Sequence, residues 1–386
     1  MARKSTKRRR RKNSIGRATK TMKTGIAEAL IELARRKEDV VALSSDTAEK
    51  AGVNQFAQKF PDRFIHCGKA AQSIAGIAAG MALEGKTAFA FGCITTGKNW
   101  DQIRTIAHDK LNVKIIDADD TLEDIALARA LPAMTVVVPA DKQEARKAII
   151  AAGIMKGPVY IKLPKDEKTI PEKTQFTIGR AEIMRAGKDC AILACGTAVA
   201  EAIKAAERLS QQEIECTVLN CHTLQPLDKH AVIGSARITG CIVAAAENTV
   251  LGSAAAEIIS QHAPVPLRIA EADQASIARA AKEAVILRCE NICPTLPEQH
   301  GSALHAEIHP ELYFRLHGGG VIKSIPGLKK ALLEMNNETF SHHCNDNKND
   351  FSTWVRNVFK EQALAHQIDK NKTRLGMALT LARWLA

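Results

Sequence analysis

The sequence predicts an α/β fold of two doubly wound domains with mostly parallel sheets, followed by a small all-helical domain. Three observations carry this expectation. From about residue 22 to 288, continuous apolar runs of strand length alternate with segments of helical period, as in parallel sheets covered on both faces. A polar stretch, KDEKTIPEKTQ, interrupts the alternation near residues 164–175. Beyond Tyr313 the strand-like runs stop and helical patterns remain. A chain of 386 residues has room for two or three complete cores. The expected layout is a basic tail over 1–21, α/β domains over 22–170 and 171–288, a linker over 289–312, and a helical module over 313–386.

Each element follows from a local pattern. TMKTGIAEALIELARR spaces its apolar residues as a helix, and VVALSS reads as a short buried strand. VNQFAQKF is helical, RFIHC extended, and SIAGIAAGMAL a small-residue helix suited to close packing. TAFAF, VKIIDA, MTVVVP and VYIKL are further buried strands, separated by helical segments such as TLEDIALARAL and DKQEARKAIIAAGIM. The second domain alternates in the same way: CAILACG, AVAEAIKAAERLS, ECTVLN, DKHAVIGSAR, CIVAAAE and SAAAEIISQ, closing near Leu287. In the helical module, GLKKALLEMNNETFSHH reads as one helix and NDFSTWVRNVFK as the next. A last helix contains TRLGMALTLARWL. Asp350 is placed as the cap of the second of these, and Phe351 with Trp354 as an apolar pair on one face.

Composition narrows the class. Apolar residues at 46% and charged residues at 25% are ordinary globular values, and no uncharged apolar run is long enough for a transmembrane helix. The net charge of +12 is concentrated at one end. Residues 1–23 hold eleven of the 54 Lys and Arg and none of the 42 Asp and Glu, which leaves the remainder nearly neutral. Such a tail buries nothing and repels itself. It serves either as a solubilising extension or as an arm for nucleic acid or an acidic partner, with residues 3–12 as the contact. Scattered cysteines inside apolar runs (Cys190, Cys195, Cys241) suit a reducing, cytoplasmic setting. Cys289 and Cys293 precede His300, His305 and His309, but the spacing matches no compact zinc pattern and the segment reads as linker.

One motif misleads. Gly80 to Thr87 spells the phosphate-binding pattern G-x4-G-K-[ST], whose chemistry needs a strand, then the loop, then a helix whose first amides face the phosphates. Here the order is helix, loop, strand, with Gly85 read as a helix C-terminal cap.

Longer blocks carry a resemblance. FAQKFPDRFIHCGKAAQSIAGIAAGMALEGK, NWDQIR, LNVKIID, TLEDIALARALPAMTVVVPAD and GPVYIKL appear in the order found in transketolases. FTIGRAEIMRAGKDCAILACGTAVAEAIKAAERL and CTVLNCHTLQPLD continue that order. Residues 22–288 resemble the C-terminal half of a split transketolase: a pyrimidine-binding domain and a third domain. The resemblance implies thiamine diphosphate as cofactor, with Asp46, Gln72, Phe91 and Trp100 at cofactor-facing positions. It also implies a homodimer, or a heteromer with a subunit that binds the diphosphate and magnesium. No Gly-Asp-Gly element, the family's diphosphate mark, occurs in these 386 residues. Residues 313–386 resemble a small helical module of unknown function.

Departures from the family pattern cluster where chemistry is expected. The family places a Glu against N1′ of the aminopyrimidine, and in Gly68-Lys69-Ala70-Ala71-Gln72-Ser73 that position is Ala71. A methyl group cannot share a proton, a loss on the order of 10²–10⁴ in rate. The family loop between KIID and TLEDIA is reduced to Ala118-Asp119-Asp120. A Glu-His pair reads Glu247-Asn248 with its continuation cut to Leu251-Gly252, and an Arg-Glu pair reads Lys23-Thr24. No catalytic residue or metal ligand is assigned. The expectation is a cytoplasmic, dimer-forming subunit with impaired catalysis and a structural or regulatory role. The alternatives are an active half of a thiamine diphosphate-dependent two-carbon or acyl transferase, or a nucleic-acid-associated protein acting through its tail.

Overall fold

A computed structural model describes residues 25–45, 53–68, 70–92, 99–118, 121, 123–164, 169–171, 176–292, 307–345 and 347–385. The first domain runs through α1 (residues 25–36), β1 (Val40–Ser44), α2 (Asn54–Lys59), β2 (Phe64–His66), α3 (Ile74–Leu83) and β3 (Thr87–Phe91). It continues through α4 (Trp100–His108), β4 (Val113–Asp117), α5 (Glu123–Arg129), β5 (Thr135–Val137), α6 (Lys142–Ile154) and β6 (Val159–Lys162). Strands β1, β3, β4 and β6 are buried throughout, which is why they read as largely apolar runs, with Lys114, Asp117 and Lys162 as the charged exceptions. Helix α3 ends as the sequence suggests. The Gly85 N–H donates to Ala82 O and the Lys86 N–H to Met81 O, with Gly85 at φ +80, so the apparent phosphate loop is a helix stop.

The second domain comprises β7 (Glu182–Arg185), β8 (Cys190–Ala194), α7 (Ala198–Ser210), β9 (Cys216–Asn220), β10 (Thr223–Gln225) and α8 (Lys229–Thr239). It closes with β11 (Ile242–Ala245), α9 (Val250–His262), β12 (Leu267–Ala270) and α10 (Gln274–Ile292). Its sheet has the order β12-β11-β8-β9-β7 and is parallel except for β7. The first sheet has the order β10-β5-β6-β4-β3-β1-β2, parallel except for β10. Strand β10 therefore leaves its own domain and closes the edge of the neighbour's sheet. One apolar core accordingly spans both sheets, from Val41 and Ile115 to Leu193 and Ile258.

The C-terminal region and the helix that precedes it differ from their expectation in five places. It opens with a small hairpin, β13 (Phe314–Arg315) and β14 (Val321–Ile322), turned by Gly318–Gly320, all three at positive φ. The expected first helix is two, α11 (Ile325–Glu334) and α12 (Asn337–His343), because Asn336 caps the second by accepting the Thr339 N–H. Asn349, not Asp350, caps α13 (Asp350–Val358); Asp350 binds Lys348 and His343 instead. A further helix, α14 (Gln362–Lys370), precedes α15 (Arg374–Leu385), and α10 runs past the expected end of its domain to Ile292. Phe351 and Trp354 pack as a pair around Phe314, at ring-centroid distances of 5.1 and 5.6 Å.

Helix α15 is apolar on two faces because it lies between two cores. Met377, Ala378 and Leu381 face the module, while Leu379 and Ala382 enter the core of the second domain. Arg383 pairs with the buried Asp189, and the Lys372 N–H and Thr373 hydroxyl donate to Glu213. No helix among the described residues is long and apolar enough to cross a membrane.

Candidate functional site

Six strands of the first sheet run parallel, so their carboxyl ends share one edge, where ligands of open α/β sheets bind. Gln72, Phe91 and Trp100 belong to the chain that leaves β2 and β3 at this edge. Asp46 lies outside the described residues. Gln72 is exposed in the short helical turn Ala71–Ser73. Phe91 is wholly enclosed, in the core that α1 and α6 build on one face of the sheet. Trp100 is half-buried against the core on the other face. The sheet thus separates the two aromatic rings, and they form no common stacking pocket in this chain.

A second set of groups at the same edge escaped the sequence reading. The Tyr160 hydroxyl and Lys162 Nζ both donate to Asp117 Oδ2, at 2.5 and 2.6 Å. Lys162 Nζ also donates to the Thr121 carbonyl at 2.6 Å. The one signal was charge within two apolar runs, Lys114 and Asp117 in VKIID and Lys162 in VYIK. Beside Lys162 lies a cleft between the two domains, with an empty volume of about 420 Å³ partly open to solvent. Its far wall carries Thr197, Glu247 and Asn248. The Thr197 hydroxyl donates to Glu247 Oε1 at 2.5 Å, and Asn248 Oδ1 accepts the Val250 N–H. Leu251 and Gly252 lie in α9, where a Cβ on Gly252 would come within 2.7 Å of Ile269.

Buried polar groups also staple the domains. Glu144 Oε2 accepts the Ala140 N–H and Oε1 accepts Asn220 Nδ2 across the junction, at 2.8 and 2.5 Å. Burial pushes the Glu144 carboxyl up to about 7, helped by the carboxylates of Asp141 and Glu182. Burial pushes His222, stacked on Phe176, down to about 4.

The fit to thiamine diphosphate is incomplete on this chain's residues. Residue 71, where a proton-sharing carboxylate is expected, is alanine, and the Phe91 ring is enclosed. Among the described residues no group of three His, Cys, Asp or Glu could hold a metal ion. Cys289 is buried in α10 and His309 caps a short turn, while Cys293, His300 and His305 lie outside the described residues.

Comparison with known proteins follows the same division of the chain. Residues 18–169 match the transketolase pyrimidine-binding domain and residues 179–271 the transketolase C-terminal domain, and both matches stop short of the helical module. A 6-deoxy-6-sulfo-D-fructose transketolase subunit from a Clostridium species is 38% identical over 261 residues, spanning 62% of this chain and 81% of that one. A putative transketolase C-terminal section from Methanocaldococcus jannaschii is 34% identical over 265 residues, 63% and 83% of the two chains. A solved structure described as a split gene transketolase, inactive β4 tetramer, superposes with a TM-score of 0.65 at 32% identity. That match covers 69% of this chain and 98% of the other. Two paired domains, their shared core and these relatives lead to one assignment: the chain belongs to the transketolase family, as a counterpart of the C-terminal half of its split members.

Proposed function

We propose that this chain is a catalytically impaired transketolase C-terminal-half subunit, with a structural or regulatory role beside a diphosphate-binding N-terminal-half partner. The observation that carries the proposal is the substitution at the cofactor edge. Ala71 stands where the family resemblance puts the activating carboxylate, and only residues 118–122 connect β4 to α5. When bound, thiamine diphosphate supplies the electron sink for a two-carbon carbanion. This chain contributes the pyrimidine-side wall without the acid–base group, and a short wall excludes water poorly. A structural or regulatory role requires association with the partner and not the missing carboxylate.

A second reading has its own support. A relative from Phocaeicola vulgatus, 31% identical and covered over 84% of its length, is named as part of an apulose-4-phosphate transketolase, and the Clostridium relative is likewise a transketolase subunit. In that reading the chain is an active half whose cofactor is activated without the carboxylate. The discriminating experiment purifies the full chain from its own cells with magnesium present, then measures thiamine diphosphate and identifies the partner by mass spectrometry. A partner with little bound cofactor supports the proposal, as does Ala71→Glu raising cofactor retention or turnover. Stoichiometric cofactor with turnover in the unaltered complex refutes impairment.

A further inference from the structure

We infer that Lys162 is a positioning residue that fixes how the chain leaves β4 and enters α5. The inference rests on reading the carboxyl edge of the first sheet as the candidate site. Its geometry joins three elements. Asp117 and Lys162 are direct partners on neighbouring strands, with side chains only 3% and 4% exposed. One carboxylate oxygen, Asp117 Oδ2, holds the ammonium and is itself held by the Tyr160 hydroxyl. The ammonium then reaches past its own strand to the Thr121 carbonyl.

Thr121 passes the constraint on. Its hydroxyl donates to Asp124 Oδ2 at 2.5 Å, in the first turn of α5. Asp124 is fully buried and its other oxygen, Oδ1, has no hydrogen-bond partner, so Thr121 is the group that satisfies this side chain. One residue further on, Ile125 lines the interdomain cleft, as Lys162 does. A displacement of Thr121 therefore strands the Asp124 carboxylate and moves the cleft wall.

Energetics separate positioning from stability. A buried ion pair recovers roughly its own desolvation cost, and well-packed apolar residues commonly serve stability as well. What apolar residues cannot supply is a directed bond to the Thr121 carbonyl. The Lys162 ammonium, held by Asp117, supplies it.

The test uses the full chain and amide hydrogen exchange. Lys162→Met is expected to raise exchange at residues 127–129, the α5 amides that bond back to its first turn, by roughly ten- to a hundredfold, the loss of one charge-assisted hydrogen bond that holds that turn. Exchange in β1 and β3 should stay unchanged, and Lys162→Arg, which keeps a charged donor, should restore most of the protection. Tyr160→Phe leaves the Lys162–Thr121 bond in place and should leave α5 protected. If Lys162→Met does not fold, Lys162→Gln carries the same expectation. Unchanged exchange at residues 127–129, or an increase shared evenly by the whole sheet, would overturn the inference. Exchange needs no cofactor, so its outcome is independent of whether the proposed impairment is right.

Discussion

Replacing Glu144 with glutamine isolates a proton held at the junction of the two domains. Glu144 is 5% exposed, and burial lifts its carboxyl from 4.5 to about 7. Between those values the folded chain keeps a proton that the unfolded chain has released. The group's stabilising contribution is thus complete below about pH 4.5 and is lost as pH rises through 7. At 1.36 kcal/mol per pH unit the loss amounts to about 3 kcal/mol. His222 opposes it. Burial lowers that imidazole from 6.5 to about 4, so its contribution is present above pH 6.5 and is lost as pH falls through 4. In the unaltered protein the two trends largely offset between pH 4.5 and 6.5. In Glu144→Gln the carboxyl contribution vanishes while the Ala140 N–H keeps an acceptor. The amide can also meet Asn220, whose Oδ1 has no partner. The assay is urea unfolding at pH 4.5, 5.5, 6.5 and 7.5 at fixed ionic strength. The variant should gain on the wild type by about 3 kcal/mol across that range, and its own stability should rise with pH. A difference between the two proteins that does not change with pH would refute the assigned protonation.

Two further outcomes test the packing. Arg383→Met leaves the fully buried Asp189 carboxylate with the Glu215 N–H as its remaining hydrogen-bond donor, and should cost about 1–3 kcal/mol in urea unfolding while loosening the helical module. A loss under about 0.5 kcal/mol, the range of ordinary surface changes, would show that the module docks without this pair. Gly153→Ala places a Cβ 2.6 Å from the Leu33 side chain between α6 and α1, and overpacking there should cost about 1–3 kcal/mol in thermal or urea unfolding. Wild-type stability in that variant would mean that α1 can shift outward.

The fold class was legible in the sequence wherever burial is complete. Runs such as TAFAF, VKIID and CAILA state a two-sided parallel strand without reference to any other segment, and DKQEARKAIIAAGI carries both a helical period and its own cap, Asp141. The reversed order of helix and strand around Gly85 likewise exposed the false phosphate loop. Strands β7 and β10 were not legible, because their pairing depends on distant chain: β10 is three residues long and pairs with β5 of the other domain. The division at Met335 and the cap at Asn349 turned on which polar side chain reaches a free amide, and several in that stretch could.

The candidate site divides along the same line. Sequence alone established which residues are present: alanine at 71, only Ala118-Asp119-Asp120 between KIID and TLEDIA, and no Gly-Asp-Gly anywhere. Only tertiary structure decided where they act. It sent Phe91 and Trp100 to opposite faces of one sheet, since adjacent strands and their connections distribute side chains by pleat and crossover rather than by sequence distance. It also brought Asp117 and Lys162, 45 residues apart, into one buried pair. A charge in an apolar run is a cost until a partner neutralises it, and that partner is chosen by strand order, which no local pattern encodes.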